Sequence, residues 1–342
     1  MQQWLKEVAR GKKGAKDLRY EDSLKIAQSI LSNEATDAQI AAYLVAERIK
    51  TESPEELLAF IHTLRQKSDS LRLNRKITDQ LIDFAGPYNG RNSFAATIPV
   101  SLLLAEYNIP VSLAASDSLP PKYGTSIKAI MEQLGWVNMD KVEMMIYEEN
   151  FTFLDAEKYC QPLARIRKIR EEIGIRTLFN TVEKLVNLSG AKNIMLGAFH
   201  RTAIHKLNEV FKQLEYENVY IVQGMEGSED VPVHRNSFVF HWKRENLDSF
   251  TIKPADFGLE NKNFDKKEKL NAKQQARIIR SILSGEKDEN FTYYYNQVLL
   301  NAGLRYYLFH ITPTIHDGIQ IAKEQLNSGR VIEIIDRWEK KS

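Results

Sequence analysis

The chain has 342 residues, 43% of them hydrophobic, with 47 Lys and Arg against 45 Asp and Glu for a net charge of +2. That length and apolar content are enough for two domains or one large domain with an appendage, and the near balance of charge excludes a polycation that would bind nucleic acid indiscriminately. The single cysteine, Cys160, excludes an internal disulfide or a cysteine-rich zinc site; with no signal-peptide-like start and no run of about 18 apolar residues, a cytoplasmic protein with no membrane partner is expected.

The first 70 or so residues read as helices with explicit start signals. Thr36-Asp-Ala-Gln39 and Ser53-Pro-Glu-Glu56 both fit the capping box, in which a hydroxyl and a carboxylate or amide satisfy free N–H groups at a helix start. Pro54 falls at the first helical position, where its missing donor costs nothing. Ile40, Tyr43, Leu44 and Ile49, then Leu57, Leu58, Ile61 and Leu64, recur behind those caps at helical spacing. From about residue 78 short apolar runs, LIDFAG, IPVSLAAS, NIMLGAF and VYIVQGMEG, alternate with helices such as Ser126–Leu134 and Thr202–Leu214. Strands alternating with helices predict an α/β unit whose central, mostly parallel sheet is flanked by helices, with ligands at the carboxyl ends of the strands. The loops DFAGPYNGRNSF, SDSLPPKYGTS and QGMEGSED all follow predicted strands and can meet there. A lysine- and asparagine-rich stretch, ENKNFDKKEKLNAK, reads as a solvated loop before helices resume to the end.

The order of AQIAAYLVAERIKTESPEELLAF, a strand–glycine loop–helix, IREEIGIRTLFN, VQGMEGSED, and NAGLRYYL with GIQIAKEQLNSGRVIE resembles anthranilate phosphoribosyltransferases and their glycosyltransferase family 3 relatives over nearly the whole chain. The resemblance implies a small helical domain, 1–72, joined in space by a helical insertion at about 158–188 and hinged to an α/β domain, 73–342. It also implies phosphoribosyl diphosphate and Mg²⁺ in the cleft between the domains, no organic cofactor, and a homodimer through the helical domain.

The family's functional motifs are altered here. Its Gly-Thr-Gly-Gly-Asp-Gly diphosphate loop, and the Thr-Phe-Asn-Ile-Ser-Thr that follows, fall on Ala85-Gly86-Pro87-Tyr88-Asn89-Gly90 and on Ser93-Phe94-Ala95-Ala96-Thr97-Ile98. Pro87 removes a backbone donor, and Tyr88 puts a ring where relatives leave room for phosphate. The phosphoribosyl-binding Lys-His-Gly-Asn-Arg falls on Ala115-Ser-Asp-Ser-Leu119, which has no cation; each lost charge-assisted hydrogen bond is worth roughly 1.5–3 kcal/mol. The His-Pro pair of the anthranilate pocket falls near Tyr159-Cys-Gln-Pro162, and Gly-Pro-Leu-x-Asn-Pro has become Glu183-Lys-Leu-Val-Asn-Leu188. Arg170 matches the arginine that contacts the aromatic acid, and Glu229-Asp230 matches the family's Asp-Glu metal pair in reversed order. Tyr88-Asn89-Gly90 with Arg91, then YCQPLAR and VEKLVN, resembles a branch that keeps the transferase fold, lacks its catalytic motifs and has been associated with nucleic-acid binding.

Three candidate sites follow. In the opening loop, Gly86, Tyr88, Asn89, Gly90, Arg91, Ser93 and Thr97 either form a turn or present N–H groups to an anion, with Tyr88 stacking on a base and Arg91 pairing with a phosphate. In QPLARIRKIREEIGIR, Leu163, Ile166, Ile169 and Ile173 form a buried stripe that leaves Arg165, Arg167, Lys168 and Arg170 flanking or exposed, either solvated or contacting phosphates. Glu229 and Asp230 either are surface acids or hold Mg²⁺ through waters. Cys160 reads as a packed thiol. The altered motifs favour a transferase homologue that binds single-stranded nucleic acid or a phosphorylated small molecule without transferring phosphoribose; the alternative is an active Mg²⁺-dependent phosphoribosyltransferase with another acceptor.

Overall fold

In the computed structural model, residues 1–11, 13–85, 90–137, 142–198, 201–243, 246–264 and 268–341 are described, the side chains of 201–203, 205 and 341 excepted. Helices Gln2–Val8, Tyr20–Leu31, Asp37–Lys50 and Pro54–Gln66 form the small N-terminal helical domain. Both expected capping boxes close: the Gln39 and Glu56 N–H groups donate to Thr36 Oγ1 and Ser53 Oγ, while the side chains of Gln39 and Glu56 accept from the cap N–H groups. Glu56 also accepts from the N–H of Leu18 and from Lys50, so one cap residue ties together two helix ends and the connection before Tyr20.

The α/β domain is built on one seven-stranded sheet. Its strands are β1 Ile82–Ala85, β2 Val111–Ala115, β3 Phe151–Asp155, β4 Asn193–Gly197, β5 Asn218–Val222, β6 Ser237–Lys243 and β7 Asn246–Ile252. The order is β3-β2-β1-β4-β5-β6-β7; β3 through β5 run parallel, and β6 and β7 add an antiparallel hairpin at one edge. The four expected strands are β1, β2, β4 and β5, while β3 and the hairpin were not foreseen. The apolar run IPVSLLLAEYNIPVSLAA divides into helix Thr97–Glu106, buried on every side, and β2. A helix apolar all round belongs in a core, and this one packs against β2 and β3 and under helix Thr292–Leu308.

Helix Gln161–Ile173 leaves the sheet and packs on Tyr20–Leu31 and Asp37–Lys50, and Phe179–Val182 packs on Pro54–Gln66. The T-shaped contact of Phe60 with Phe179, ring centres 5.6 Å apart, lies in this seam. The strand ends and the helical domain therefore face one another across residues 174–185. Among the described residues no helix is long and apolar enough to cross a membrane.

Candidate phosphate-binding cleft

The loops after β1, β2 and β5 do meet, but they close on each other. Arg91 and Thr125 exchange backbone hydrogen bonds of 3.0 and 2.9 Å, an isolated antiparallel bridge between two loops. Gly90, with φ of 74°, and Gly124 are what this crossing requires: a Cβ on Gly90 would lie 2.3 Å from the Gly124 carbonyl oxygen, and one on Gly124 would lie 2.6 Å from the Arg91 nitrogen. Among the described residues the glycine at 90 thus serves loop-to-loop packing. Gly86, Tyr88 and Asn89 lie outside the described residues.

The N–H donors expected to face an anion are occupied by the protein's own acceptors. Asn92 donates to the Glu226 carboxylate at 2.8 Å, Ala95 to the Gln275 side chain at 2.8 Å, and Thr97, first residue of its helix, to Asp230 at 3.1 Å. Arg91 does not reach solvent to meet a phosphate. It is buried, and its guanidinium lies 2.6 Å from Asp230 Oδ2, while Arg305 approaches Oδ1 of the same carboxylate at 3.1 Å. Arg305 also lies over the Phe84 ring, 4.9 Å from its centre. The hydroxyls of Ser93 and Thr97 are buried without a hydrogen-bond partner, so neither is presented at an open surface.

Glu229 and Asp230 are accordingly interior groups and not surface acids. The residues present do not fit Mg²⁺. Both Asp230 oxygens are engaged by guanidinium groups, two fixed cations where a metal would add a third, and no group of three metal-ligating side chains occurs among the described residues. Glu229 keeps both carboxylate oxygens buried and without a hydrogen-bond partner, and Lys184 and Arg305 lie near enough for their charges to act on it.

The basic helix divides differently from its sequence reading. Arg170 stands four residues after Ile166 and seven after Leu163, which places it on the buried stripe itself. It is buried, pairs with Glu183 at 2.7 Å and faces the Phe179 ring at 5.7 Å, so it is not a free basic group. Arg167 pairs with Glu157 at 2.6 Å and donates to the carbonyls of Ser118 and Asp117 at 3.1 and 3.0 Å, bracing the loop after β2. Arg165 and Lys168 alone remain solvent-facing, the latter 3.8 Å from Glu172. Cys160 is buried ahead of this helix, and burial pushes its thiol upward, as a packed thiol requires.

The open cationic surface lies elsewhere. A cleft of about 370 Å³ between helix Asp37–Lys50, residues 176–185 and the carboxyl end of β4 is lined by Arg48, Arg176, Lys184 and Lys206, with Glu52 as its one carboxylate. Among the described residues none of the four cations has an ion-pair partner; Lys184 donates to the Gly197 carbonyl at 3.1 Å, and Lys206 donates to the Glu52 carbonyl. The crowded walls, and then the like charge of Arg48, pull Arg176 below its ordinary value. Burial and then Arg176 bring Lys184 down to about 8. Lys122, on the loop after β2, is also brought down to about 8, by burial first and then by Arg91 and Arg176 against the favourable pull of Glu226. Cations that depress one another in a cleft are short of negative charge, and an anion there would relieve the repulsion. None of these five stood out in the sequence, because they come from four separated segments with no common spacing.

Comparison with known proteins agrees with this architecture. Residues 2–68 match the family model described as glycosyl transferase family, helical bundle domain, and residues 81–332 match glycosyl transferase family, a/b domain. The chain is 26% identical to the anthranilate phosphoribosyltransferase of Aquifex aeolicus, covering 98% of this chain and 97% of the relative, and 28% identical to that of Persephonella marina, covering 97% of each. Among solved structures it resembles the anthranilate phosphoribosyltransferase of Thermus thermophilus (TM-score 0.81, 23% identity, 98% of each chain). It also resembles the Saccharomyces cerevisiae enzyme in complex with PRPP and Mg (TM-score 0.81, 19% identity, 99% of this chain and 96% of that one). At those identities the structures establish the shared fold. With the helical-bundle match followed by an a/b-domain match over most of its length, the chain belongs to the glycosyl transferase family.

Proposed function

We propose that this protein binds the phosphate backbone of a nucleic acid in the cleft between a helical unit, 1–72 joined by about 158–188, and the remaining α/β unit, and that it does not transfer phosphoribose. The observation that carries this reading is the convergence of Arg48, Arg176, Lys184 and Lys206 on one cleft without ion-pair partners among the described residues. The neighbouring loop supports it. Its Asn92, Ala95 and Thr97 donors are filled by Glu226, Gln275 and Asp230, and Asp230, one of the two acids that would hold Mg²⁺ in a relative, is engaged on both oxygens by Arg91 and Arg305. Where the resembling enzymes read Gly-Pro-Leu, this chain reads Glu183-Lys184-Leu185: Glu183 neutralises Arg170 inside the fold, and Lys184 adds a cation to the cleft.

Binding of a fluorescent single-stranded oligonucleotide, followed by anisotropy across a salt series, tests the proposal. If all four cations contact phosphates, the slope of log K against log salt reaches about −3, and Arg176→Ala with Lys206→Ala makes it shallower. Salt-independent binding, or an unchanged slope in the double variant, rules the cleft out. The second reading, an active transferase, is favoured by the end-to-end similarity to anthranilate phosphoribosyltransferases. Calorimetry with phosphoribosyl diphosphate, with and without Mg²⁺, separates the two: no Mg²⁺-dependent binding is expected, and micromolar binding with pyrophosphate release would establish the second reading instead.

A further inference from the structure

Lys122 of the loop 116–126 donates to the Glu226 carbonyl, and the adjoining Gly227 and Ser228 pack against Gly197 of the cleft lining, so this loop stands behind the cleft wall and carries there an aromatic side chain that the fold does not use. Tyr123 is 57% exposed, and among the described residues its side chain makes neither a hydrogen bond nor a ring contact. Its φ is 48°, a region that bulky side chains rarely adopt and that glycine or asparagine would occupy at less cost. The loop that holds it is not loose. Arg167 grips the carbonyls of Asp117 and Ser118, Lys122 donates to the Glu226 carbonyl, Thr125 pairs with the Arg91 backbone, and the Thr125 hydroxyl donates to the Leu270 carbonyl at 2.7 Å. The residue before it, Lys122, stands close enough to Arg176 for the two charges to repel.

We infer that Tyr123 is a stacking platform for an unpaired base whose neighbouring phosphates lie against Lys122 and Arg176, so that the ligand of the cleft is a single strand. This rests on the cleft reading above and specifies it. Single strands are bound by cations that follow the backbone together with aromatic rings on which bases stack; duplexes keep those faces covered. A ring already fixed on a tethered loop loses little freedom when a base lies on it. The ring, not the hydroxyl, is the recognising group.

The test compares two probes at one salt concentration, a short oligodeoxythymidine and a strand of the same length built from abasic sugars, with wild type, Tyr123→Gly, Tyr123→Phe and Arg176→Ala. Glycine suits the positive φ, so Tyr123→Gly removes the ring without straining the loop, and its thermal transition is expected to match wild type. Tyr123→Gly is expected to weaken oligothymidine binding about tenfold, in line with the loss of one base stack, and to leave abasic-strand binding unchanged. Tyr123→Phe keeps both. Equal binding of oligothymidine by wild type and Tyr123→Gly overturns the inference, and so does an equal loss on both strands, which would mark an effect on the backbone site. Arg176→Ala reports separately on the cleft. If it weakens both strands while Tyr123→Gly weakens neither, stacking alone fails; if it weakens neither, or if wild type binds neither strand, the cleft reading fails and the inference falls with it.

Discussion

Asp230 answers two buried guanidinium groups at once and also accepts the N–H of Thr97 at the head of a core helix. Removing it leaves two desolvated charges unpaired. Breaking a buried ion pair from one side costs about 3–5 kcal/mol, so Asp230→Ala is expected to lower stability in urea unfolding by about that much, whereas a residue whose only duty was to hold a metal would cost little. A second buried carboxylate behaves in the opposite sense. Lys50 Nζ lies 2.9, 3.4 and 2.7 Å from Asp17, Glu47 and Glu56, one cation against three acids. Burial, and then the charge of Glu56, push Glu47 up from 4.5 to about 9. The native state therefore holds a proton on Glu47 that the unfolded chain releases near 4.5. Its contribution to stability is complete below that value and is lost as pH rises through about 9. Glu47→Gln, which cannot ionise, is expected to flatten the decline in urea midpoint over this window; parallel curves for variant and wild type would show that Glu47 is already charged in the fold.

At the scale of elements, helix Gln161–Ile173 shows what spacing reveals and what residue type conceals. Leu163, Ile166 and Ile169 were legible as its buried stripe. Arg170 has the spacing of that stripe, but a guanidinium is read as solvent-facing unless its partner is known, and Glu183 lies beyond the helix end. Arg170→Ala is expected to destabilise by about 3–5 kcal/mol by stranding Glu183, while Arg165→Ala with Lys168→Ala stays within about 0.5 kcal/mol of wild type in thermal unfolding. A triple substitution of Arg165, Arg167 and Arg170 would therefore report on folding before it reported on any ligand. The same contrast runs through the fold. Capping boxes and strands bounded by turns were readable because their signals are local. β3, FTFLD, follows the acidic end of a helix after one residue and offers only three apolar side chains, too short a signal for periodicity to tell from a helix segment. The cleft was not readable at all, since Arg48, Arg176, Lys184 and Lys206 become neighbours only when the helical domain closes over the strand ends.

For the molecule as a whole, a net charge of +2 gives no general attraction for polyanions, so any such binding must come from where charge is concentrated and left unbalanced. The interior carboxylates of Asp230 and Glu183 are matched by their own arginines, whereas the cleft gathers four cations around one carboxylate, Glu52. Its strength then depends on pH within an accessible range. Burial, and then neighbouring cations, bring Lys184 and Lys122 down to about 8, below ordinary lysine. A phosphate beside them favours the charged form, so binding draws protons in, and affinity is expected to rise as pH falls from about 9.5 to 7, by up to about tenfold per pH unit for each lysine that must be charged. Lys184→Arg keeps its charge across the whole range. Oligonucleotide affinity measured against pH at constant ionic strength should therefore fall less steeply above pH 8 in Lys184→Arg than in wild type. Identical profiles would mean that Lys184 does not meet the ligand's phosphates, and a wild-type profile flat over this range would mean that neither lysine does.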